Sequence, residues 1–434
     1  MFDKITIFVF IKVCVMDKDL IKYLISDYQQ RVVDVESFPR EYQLDDNLNY
    51  VFVGLRRAGK SYMMFRQIKH LIDIGHKVEE ILYFNFEDDR IDMVSTLDLD
   101  LIKTSYEEMY DCKPIFFLDE IQLVEHWEKF ARRLADQKYR VYITGSNAKM
   151  LSSEISTTLG GRYMVEEIYP YSFKEYLVAE GIDMNDRNAL FKNKVKIMKA
   201  FETYFYFGGL PEITSVIDKR SWLSNLYNKI FFGDLVARYQ IRNDFALRIL
   251  VKKLAESVKQ PSSYNRLKNI VSSTGTKVSA DTIIDYVKYM NDSWLILPVE
   301  NIEAALADRE SNKKYYFIDN GILNLFLLDP NTSLLENMVA IALRKKYGER
   351  VYYYNNIIEV DFYVPEEELA IQVSYSLNNA ETKQRETSAL LKLSNRFPIK
   401  EMKIVTKDEE DSIEMEGHII NVVPLWKWLF LNAV

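Results

Sequence analysis

Cysteine is nearly absent from this chain. Only Cys14 and Cys112 occur in 434 residues, too few for a disulfide framework or a cysteine-based metal site, which fits a reducing cytosol. Histidine is scarce as well. His70, His76, His126 and His418 are scattered without ligand spacing, which argues against a histidine metal centre. An excess of positive charge is lacking. The net charge of −8 excludes a generic polyanion binder and leaves only local basic faces open. A membrane span is lacking too. The apolar run Ile5-Thr6-Ile7-Phe8-Val9-Phe10-Ile11 is closed by Lys12 and Asp17, too early to cross a bilayer. No small-residue cleavage site follows it, so residues 1–16 read as an N-terminal extension, with a signal peptide as the lesser alternative and Met16 as an alternative start. What remains is ordinary globular composition, 48% hydrophobic and 28% charged, at a length that calls for two to four domains.

One stretch organises the rest. Tyr50-Val51-Phe52-Val53 reads as a buried strand, Gly54-Leu55-Arg56-Arg57-Ala58-Gly59-Lys60-Ser61 as a glycine-bounded loop, and Tyr62 to Ile68 as a helix. Strand, such a loop and Lys-Ser opening a helix is the context of a P-loop. The glycines let backbone N–H groups of Gly54 to Tyr62 close around phosphate, and the helix N-terminus adds partial positive charge. Lys60 would reach the β- and γ-phosphates and the Ser61 hydroxyl would ligate Mg²⁺.

About 60 residues on, Ile115-Phe116-Phe117-Leu118-Asp119-Glu120 is a buried strand ending in two acids, the Walker B pattern. Its C-terminal end would lie at the ligand crevice of an open α/β sheet. Asp119 would hold Mg²⁺ through water, and Glu120 would orient or deprotonate the attacking water. The run Arg140 to Asn147 is another strand ending in small polar groups. Asn147, or else Ser146, would sense the γ-phosphate there. Capping of the next helix is the competing reading.

Gly54–Ser61, Leu118-Asp119-Glu120-Ile121-Gln122, Ile143-Thr144-Gly145-Ser146-Asn147, Leu159-Gly160-Gly161-Arg162-Tyr163 and Tyr169 to Tyr176 occur in this order. Together they resemble a prokaryotic family of AAA-type ATPases carrying a C-terminal domain of undefined function. Phe207-Gly208-Gly209-Leu210-Pro211-Glu212 and Asp234-Leu235-Val236-Ala237-Arg238-Tyr239 resemble it too, so that the likeness runs through nearly the whole chain. The resemblance implies a parallel P-loop NTPase sheet flanked by helices, with ATP rather than GTP and with Mg²⁺. The absence of an Asn-Lys-x-Asp tetrapeptide agrees. Arg162 matches a family arginine that would neutralise γ-phosphate charge, in cis or from a neighbouring copy. A structural Arg162 paired with backbone or a carboxylate is the alternative.

The domain reading is an ATPase domain over 17–168, a helical lid over 169–240, a winged helix over 241–330 and a small α/β nuclease-like domain over 331–434. In the winged helix, Leu247–Ala255, Ser262–Val271 and Ser279–Met290 are helices, followed by a strand pair. Its third helix carries Asp281 and Asp285 beside Lys288, poor for phosphate contact. The basic residues sit at Arg248, Lys252, Lys253, Lys259, Arg266, Lys268 and Lys277. DNA contact and protein packing therefore both stand as readings. The last domain has the helix and strand order of the PD-(D/E)xK core, with Glu336 and Asp361 as acids. Its third strand reads Gln372-Val373-Ser374 where that chemistry needs acid-x-Lys, so it is expected to be degenerate, unless Lys383 or Arg385 migrates into the site.

The reading that follows is an ATP-binding, Mg²⁺-dependent, ATP-hydrolysing switch protein of the cytoplasm with a C-terminal interaction platform. Its expected partners are ATP, an unidentified protein and a further copy of itself, with DNA through the winged helix as an option and no membrane. An ATP-regulated DNA-binding regulator is the alternative, and an ATP-dependent nuclease the third.

Overall fold

In a computed structural model the described residues are 16–36, 38, 40–91, 94–145, 158–182 and 192–431. Of the expected N-terminal extension only Met16 falls among them. Its backbone N–H donates to Asp98 at 3.0 Å.

The ATPase region is built on five strands: β1 (Asn49–Val53), β2 (Ile81–Asn85), β3 (Ile115–Asp119), β4 (Val141–Gly145) and β5 (Tyr163–Glu167). Their order is β2-β3-β4-β1-β5, and every pairing is parallel. The first four are apolar runs because helices cover both faces of the sheet. The helices α1 (Lys18–Asp34), α2 (Lys60–Asp73), α3 (Thr96–Met109) and α4 (Trp127–Asp136) supply that cover. In α1 the buried residues Ile21, Leu24, Ile25, Tyr28 and Val32 recur every three or four positions, which puts them on one face. Parallel strands bring their C-terminal ends to one edge. Asn85 pairs with Asp119, Leu118 with Ile143, and Val53 with Gly145, so the loop after β1 lies beside the ends of β3 and β4.

The segment expected as a helical lid contains the helices Phe173–Ala179, Lys194–Phe207 and Lys219–Lys229, the last running into a π-helical turn over Ile230–Ala237. Gly208 ends the second of these at φ 78. A Cβ there would lie 2.2 Å from the Asp319 carboxylate. Asp319 accepts the N–H groups of Gly209 (2.8 Å), Gly321 (2.9 Å) and Ile322 (3.2 Å), and so ties the break to the short helix Asn320–Asn324. Burial, opposed by those N–H groups, pushes its pKa up to about 6. An acid whose folded value lies above its unfolded one stabilises when protonated. That contribution is present below the unfolded value and is lost as pH rises through about 6. Relative to Asp319→Asn, the wild type should therefore gain melting temperature between about pH 7.5 and about pH 5. Parallel pH profiles of the two proteins would show that burial of Asp319 has no such consequence.

The helices expected between 245 and 290 are Asp244–Glu256, Tyr264–Ser273 and Ala280–Asp292. The second begins two residues later than expected. Ser262 and Ser263 form strand β6, paired with Lys313 and Asn312, and the Ser263 side chain then caps the helix at the N–H of Arg266. A hairpin of β7 (Ile296–Asn301) and β8 (Asn312–Phe317) follows. Two of the basic residues expected on this module serve packing. The Arg248 guanidinium lies 4.5 Å from the Phe231 ring centre, and Lys259 donates to Thr332 at 2.7 Å.

The C-terminal region has the helix Asn331–Tyr347, then β9 (Tyr352–Asn355), β10 (Glu359–Val364), β11 (Leu369–Val373), the helix Ala380–Ser394, β12 (Glu401–Thr406), β13 (Asp411–Met415) and β14 (His418–Pro424). The boundary expected at 330 does not divide the sheets. β9 pairs in parallel with β7 through Glu300–Tyr352 and Asn301–Tyr353, so one nine-stranded sheet runs β13-β14-β12-β11-β10-β9-β7-β8-β6. Among the described residues no helix is long and apolar enough to cross a membrane.

Candidate nucleotide-binding site

β1 delivers the chain to Gly54 at the edge where the strands end. Gly54 lies at φ 146, and a Cβ on it would come within 2.3 Å of the Ile168 carbonyl oxygen, so glycine alone lets the loop pass the end of β5. Gly59, at φ 101, is the N-cap of α2. No side chain caps that helix and no acid lies in its first turn, which leaves a positive helix end facing the loop. Leu55 and Ala58 bury their side chains completely and offer the loop only backbone.

Lys60 is 5% exposed. Its ammonium folds back into the loop and donates to the carbonyls of Gly54 (3.2 Å) and Leu55 (3.1 Å). Burial pushes its pKa down, and the nearby Glu120 and Asp119 oppose that shift. The buried Asp119 carboxylate accepts from Tyr83 Oη at 2.6 Å and from the Thr144 hydroxyl. Burial and Glu120 raise its pKa, while hydrogen bonds from Thr144, Tyr83 and Ser61 pull it down. The first residue of α2 beyond Lys60 and the last residue of β3 are thereby joined. Glu120 adopts a left-handed conformation, φ 55, which costs about 1–3 kcal/mol in a residue with a side chain. Its N–H is pinned to Thr144 Oγ1 at 2.9 Å and its carboxylate accepts from the Gln122 amide. Lys60, Ser61, Tyr62 and Glu120 line one cavity of about 740 Å³ together with Arg56 and Arg57.

The two loop arginines point into the helical segment that follows the sheet. Arg56 grips Asp234 with Nε at 3.0 Å and Nη2 at 3.2 Å, and Arg238 holds the same carboxylate at 3.0 Å. Arg57 pairs with Glu212. The two motifs noted around Gly208 and Asp234 thus pack on the phosphate loop. Nothing in local sequence announced Arg40, which is buried beneath the loop. Arg40 donates to Glu175 (2.9 Å), to the Ala58 carbonyl (3.2 Å) and to the Tyr169 carbonyl (2.6 Å). Thr144 is a further residue that only the fold connects to Asp119 and Glu120.

Arg162 is not part of this site in cis. It precedes β5, whose first residue pairs with Asn49 at the start of β1, whereas the loop begins at the far end of β1. Five strand residues, about 16 Å, separate the two ends. Arg162 is held there by Asp136 at 2.6 Å, the carboxylate pairing that was its alternative reading. Ser146 and Asn147 lie outside the described residues.

The C-terminal acids do come together. Glu336 and Asp361 face one cavity of about 700 Å³, with Gln372 beside them. Lys383 pairs with Asp411 outside this cavity, whereas Arg385 lines it and pairs there with Glu386. A lysine is nonetheless present. Lys314 of β8 contacts both Glu336 and Asp361, which corrects the expectation of a cluster without one.

A buried lysine inside a glycine-bounded loop, a serine at the start of the next helix bonded to the acid that ends β3, and the order β2-β3-β4-β1-β5 define a P-loop NTPase of the AAA type. A family profile described as an AAA domain matches residues 46–177, and one described as a domain of unknown function matches residues 198–333. An uncharacterized protein of Methanocaldococcus jannaschii is 33% identical over 404 residues, covering 89% of each chain. One of Haemophilus influenzae is 29% identical over 401 residues, covering 89% of this chain and 95% of that one. The chain belongs to this family of AAA-domain proteins. Among solved structures, a Walker-type ATPase of Pyrococcus abyssi matches with a TM-score of 0.41 and 10% identity, over 71% of this chain and 95% of that one. The Orc1 protein of Aeropyrum pernix in complex with DNA matches with a TM-score of 0.26 and 12% identity, over 76% and 96%.

Proposed function

We propose that this protein binds ATP with Mg²⁺ in the cavity at the end of β1, hydrolyses it, and passes the nucleotide state to its C-terminal half. The observation that carries the reading is the placement of Lys60, Ser61 and Glu120 around one cavity, with the Asp119 carboxylate buried beside Ser61 and Glu120. Lys60 and the amides from Gly54 to Tyr62 hold the phosphates. Two donors of the Lys60 ammonium rest on the carbonyls of Gly54 and Leu55, so it already lies inside the loop. Ser61 and Asp119 fit Mg²⁺, which when bound neutralises charge on the β- and γ-phosphate oxygens. Glu120 takes a proton from water as the water oxygen bonds to the γ-phosphorus and the bond to the β–γ bridging oxygen breaks. Asn147, or else Ser146, senses the γ-phosphate, and Arg162 acts on the site of a neighbouring copy.

The readout is supported by Arg56 and Arg57. Their partners Asp234 and Glu212 lie in the segment that leads into the three helices and hairpin, a winged-helix arrangement, so phosphate that draws either arginine inward loosens that contact. The platform is read as a protein-docking surface. Titration of the full chain with ATP and Mg²⁺ tests the reading. Lys60→Ala removes two charge-assisted hydrogen bonds to phosphate and should weaken ATP binding about 100-fold or more. Unchanged affinity in that variant would overturn the assignment.

A further inference from the structure

The fold order of the C-terminal region implies a divalent metal among its acids, and the residues can be tested for that fit. Glu336 enters from the helix Asn331–Tyr347, and Glu359 and Asp361 enter from β10. Lys314 Nζ lies 3.1 Å from Glu359 Oε1, 3.3 Å from Glu336 Oε1 and 3.3 Å from Asp361 Oδ1. An ammonium has three donors and no acceptor, and here it meets three carboxylates. The side chain is completely buried, so it has no solvent position to fall back on.

Two of these carboxylates also accept from other protein donors. Asp361 Oδ2 accepts from the Val373 N–H at 2.9 Å, and Glu336 Oε1 accepts from Tyr316 Oη at 2.8 Å. Gln372, where the acid of a metal site would stand, is used at both ends. Its oxygen accepts from the Asp361 N–H at 2.8 Å, and its amide donates to Glu386 at 2.8 Å and to the Glu359 carbonyl at 3.1 Å. The fourth acid nearby, Glu386, is neutralised by Arg385. A hard divalent cation needs several oxygens at about 2.0–2.6 Å, and the ammonium stands where those oxygens converge. Among the described residues no three His, Cys, Asp or Glu side chains are arranged to hold a metal ion.

We propose that Lys314 is the resident cation of this cluster, standing in place of a divalent metal ion and locking the β7–β8 hairpin onto β10 and the helix Asn331–Tyr347. The lysine comes from outside the helix-and-strand unit that carries the acids. The latch therefore adds an ionic contact to the β7–β9 pairing and to the hydrogen bonds of Asn337 with the Phe317 backbone, which also join these two parts of the chain. The region is metal-independent as it stands, and its acids form a latent cation site that loss of the ammonium uncovers.

Mn²⁺ binding to the nucleotide-free full chain, followed by electron paramagnetic resonance and by thermal melting, tests this. Wild type and Asp361→Asn should bind the same number of Mn²⁺ ions, which removes any contribution of the phosphate loop from the comparison. Lys314→Met should bind one more ion per chain, should be raised in melting temperature by Mn²⁺ where the wild type is not, and should lose both properties when Asp361→Asn is added. An Mn²⁺ ion on the wild type that disappears in Asp361→Asn would overturn the proposal, because metal and ammonium would then share the cluster. A folded Lys314→Met that gains no ion would overturn it too. So would a Lys314→Met that fails to fold even with Mn²⁺ present, because the ammonium would then not be replaceable by a divalent ion.

Discussion

Glu120→Gln should lower ATP turnover by about 10²–10⁴-fold while ATP still binds. The amide matches the carboxylate in size and cannot take a proton. The neighbouring Asp119 and Ser61, assigned to Mg²⁺, keep their side chains, and so does Lys60. The position is also defined by the backbone. Glu120 sits at φ 55 with its N–H on Thr144 Oγ1 at 2.9 Å and its carboxylate against Gln122, so it enters the cavity in one direction. Phosphate release gives kcat, and titration of the same variant gives the ATP affinity. A variant that turns over ATP at the wild-type rate would remove Glu120 from the chemistry. One that loses binding as well would place Glu120 in the phosphate or metal shell instead.

Arg40→Leu should cost about 3–5 kcal/mol, because removing one partner leaves the other charge buried. The Arg40 and Glu175 side chains are 5% and 1% exposed. Glu175 would keep Lys345 at 3.3 Å and the N–H groups of Glu41 and Ser172, both at 2.7 Å, which sets the lower end of that range. The carbonyls of Ala58 and Tyr169 would lose their donor. Ala58 belongs to the phosphate loop, so ATP affinity should fall together with stability. Arg40→Lys should recover only part of either, since an ammonium cannot span three acceptors as a planar guanidinium does. The urea midpoint of the transition that unfolds the ATPase region, with ATP titration on the folded variants, reads both effects. A wild-type midpoint in Arg40→Leu would show that the loop does not depend on this buried pair.

The phosphate loop was legible in the sequence because its parts are adjacent in the chain. Val51, Phe52 and Val53 are buried on both faces of the sheet, Gly54 and Gly59 have positive φ, and Lys60 opens α2. Asp119 and Glu120 were legible for the same reason, as two acids at the end of a fully apolar strand. β5 was not. It is an edge strand, and Met164 and Val165 are 53% and 44% exposed, so it shows neither a continuous apolar run nor a clean alternation. β13 was not legible either, because it has no buried residue to mark it. β6 was absorbed into a helix because Ser263 both ends the strand and caps the helix.

By itself the sequence determined the class of protein, a P-loop NTPase with a loop lysine, a serine at the helix start and a pair of acids at a strand end, since each of those signals is local and follows from strand burial and loop conformation. Tertiary structure alone decided how they are wired. It placed Arg162 at the wrong end of the sheet for action in cis and set Arg40 beneath the loop. It gave Arg56 and Arg57 their partners more than 150 positions away in the chain and put Lys314 among acids from two later elements. The physical reason is that a charge buried in a protein must meet its counter-charge in space, whereas the chain order of the two is free. Where the partners are far apart in sequence, no spacing or periodicity carries the information.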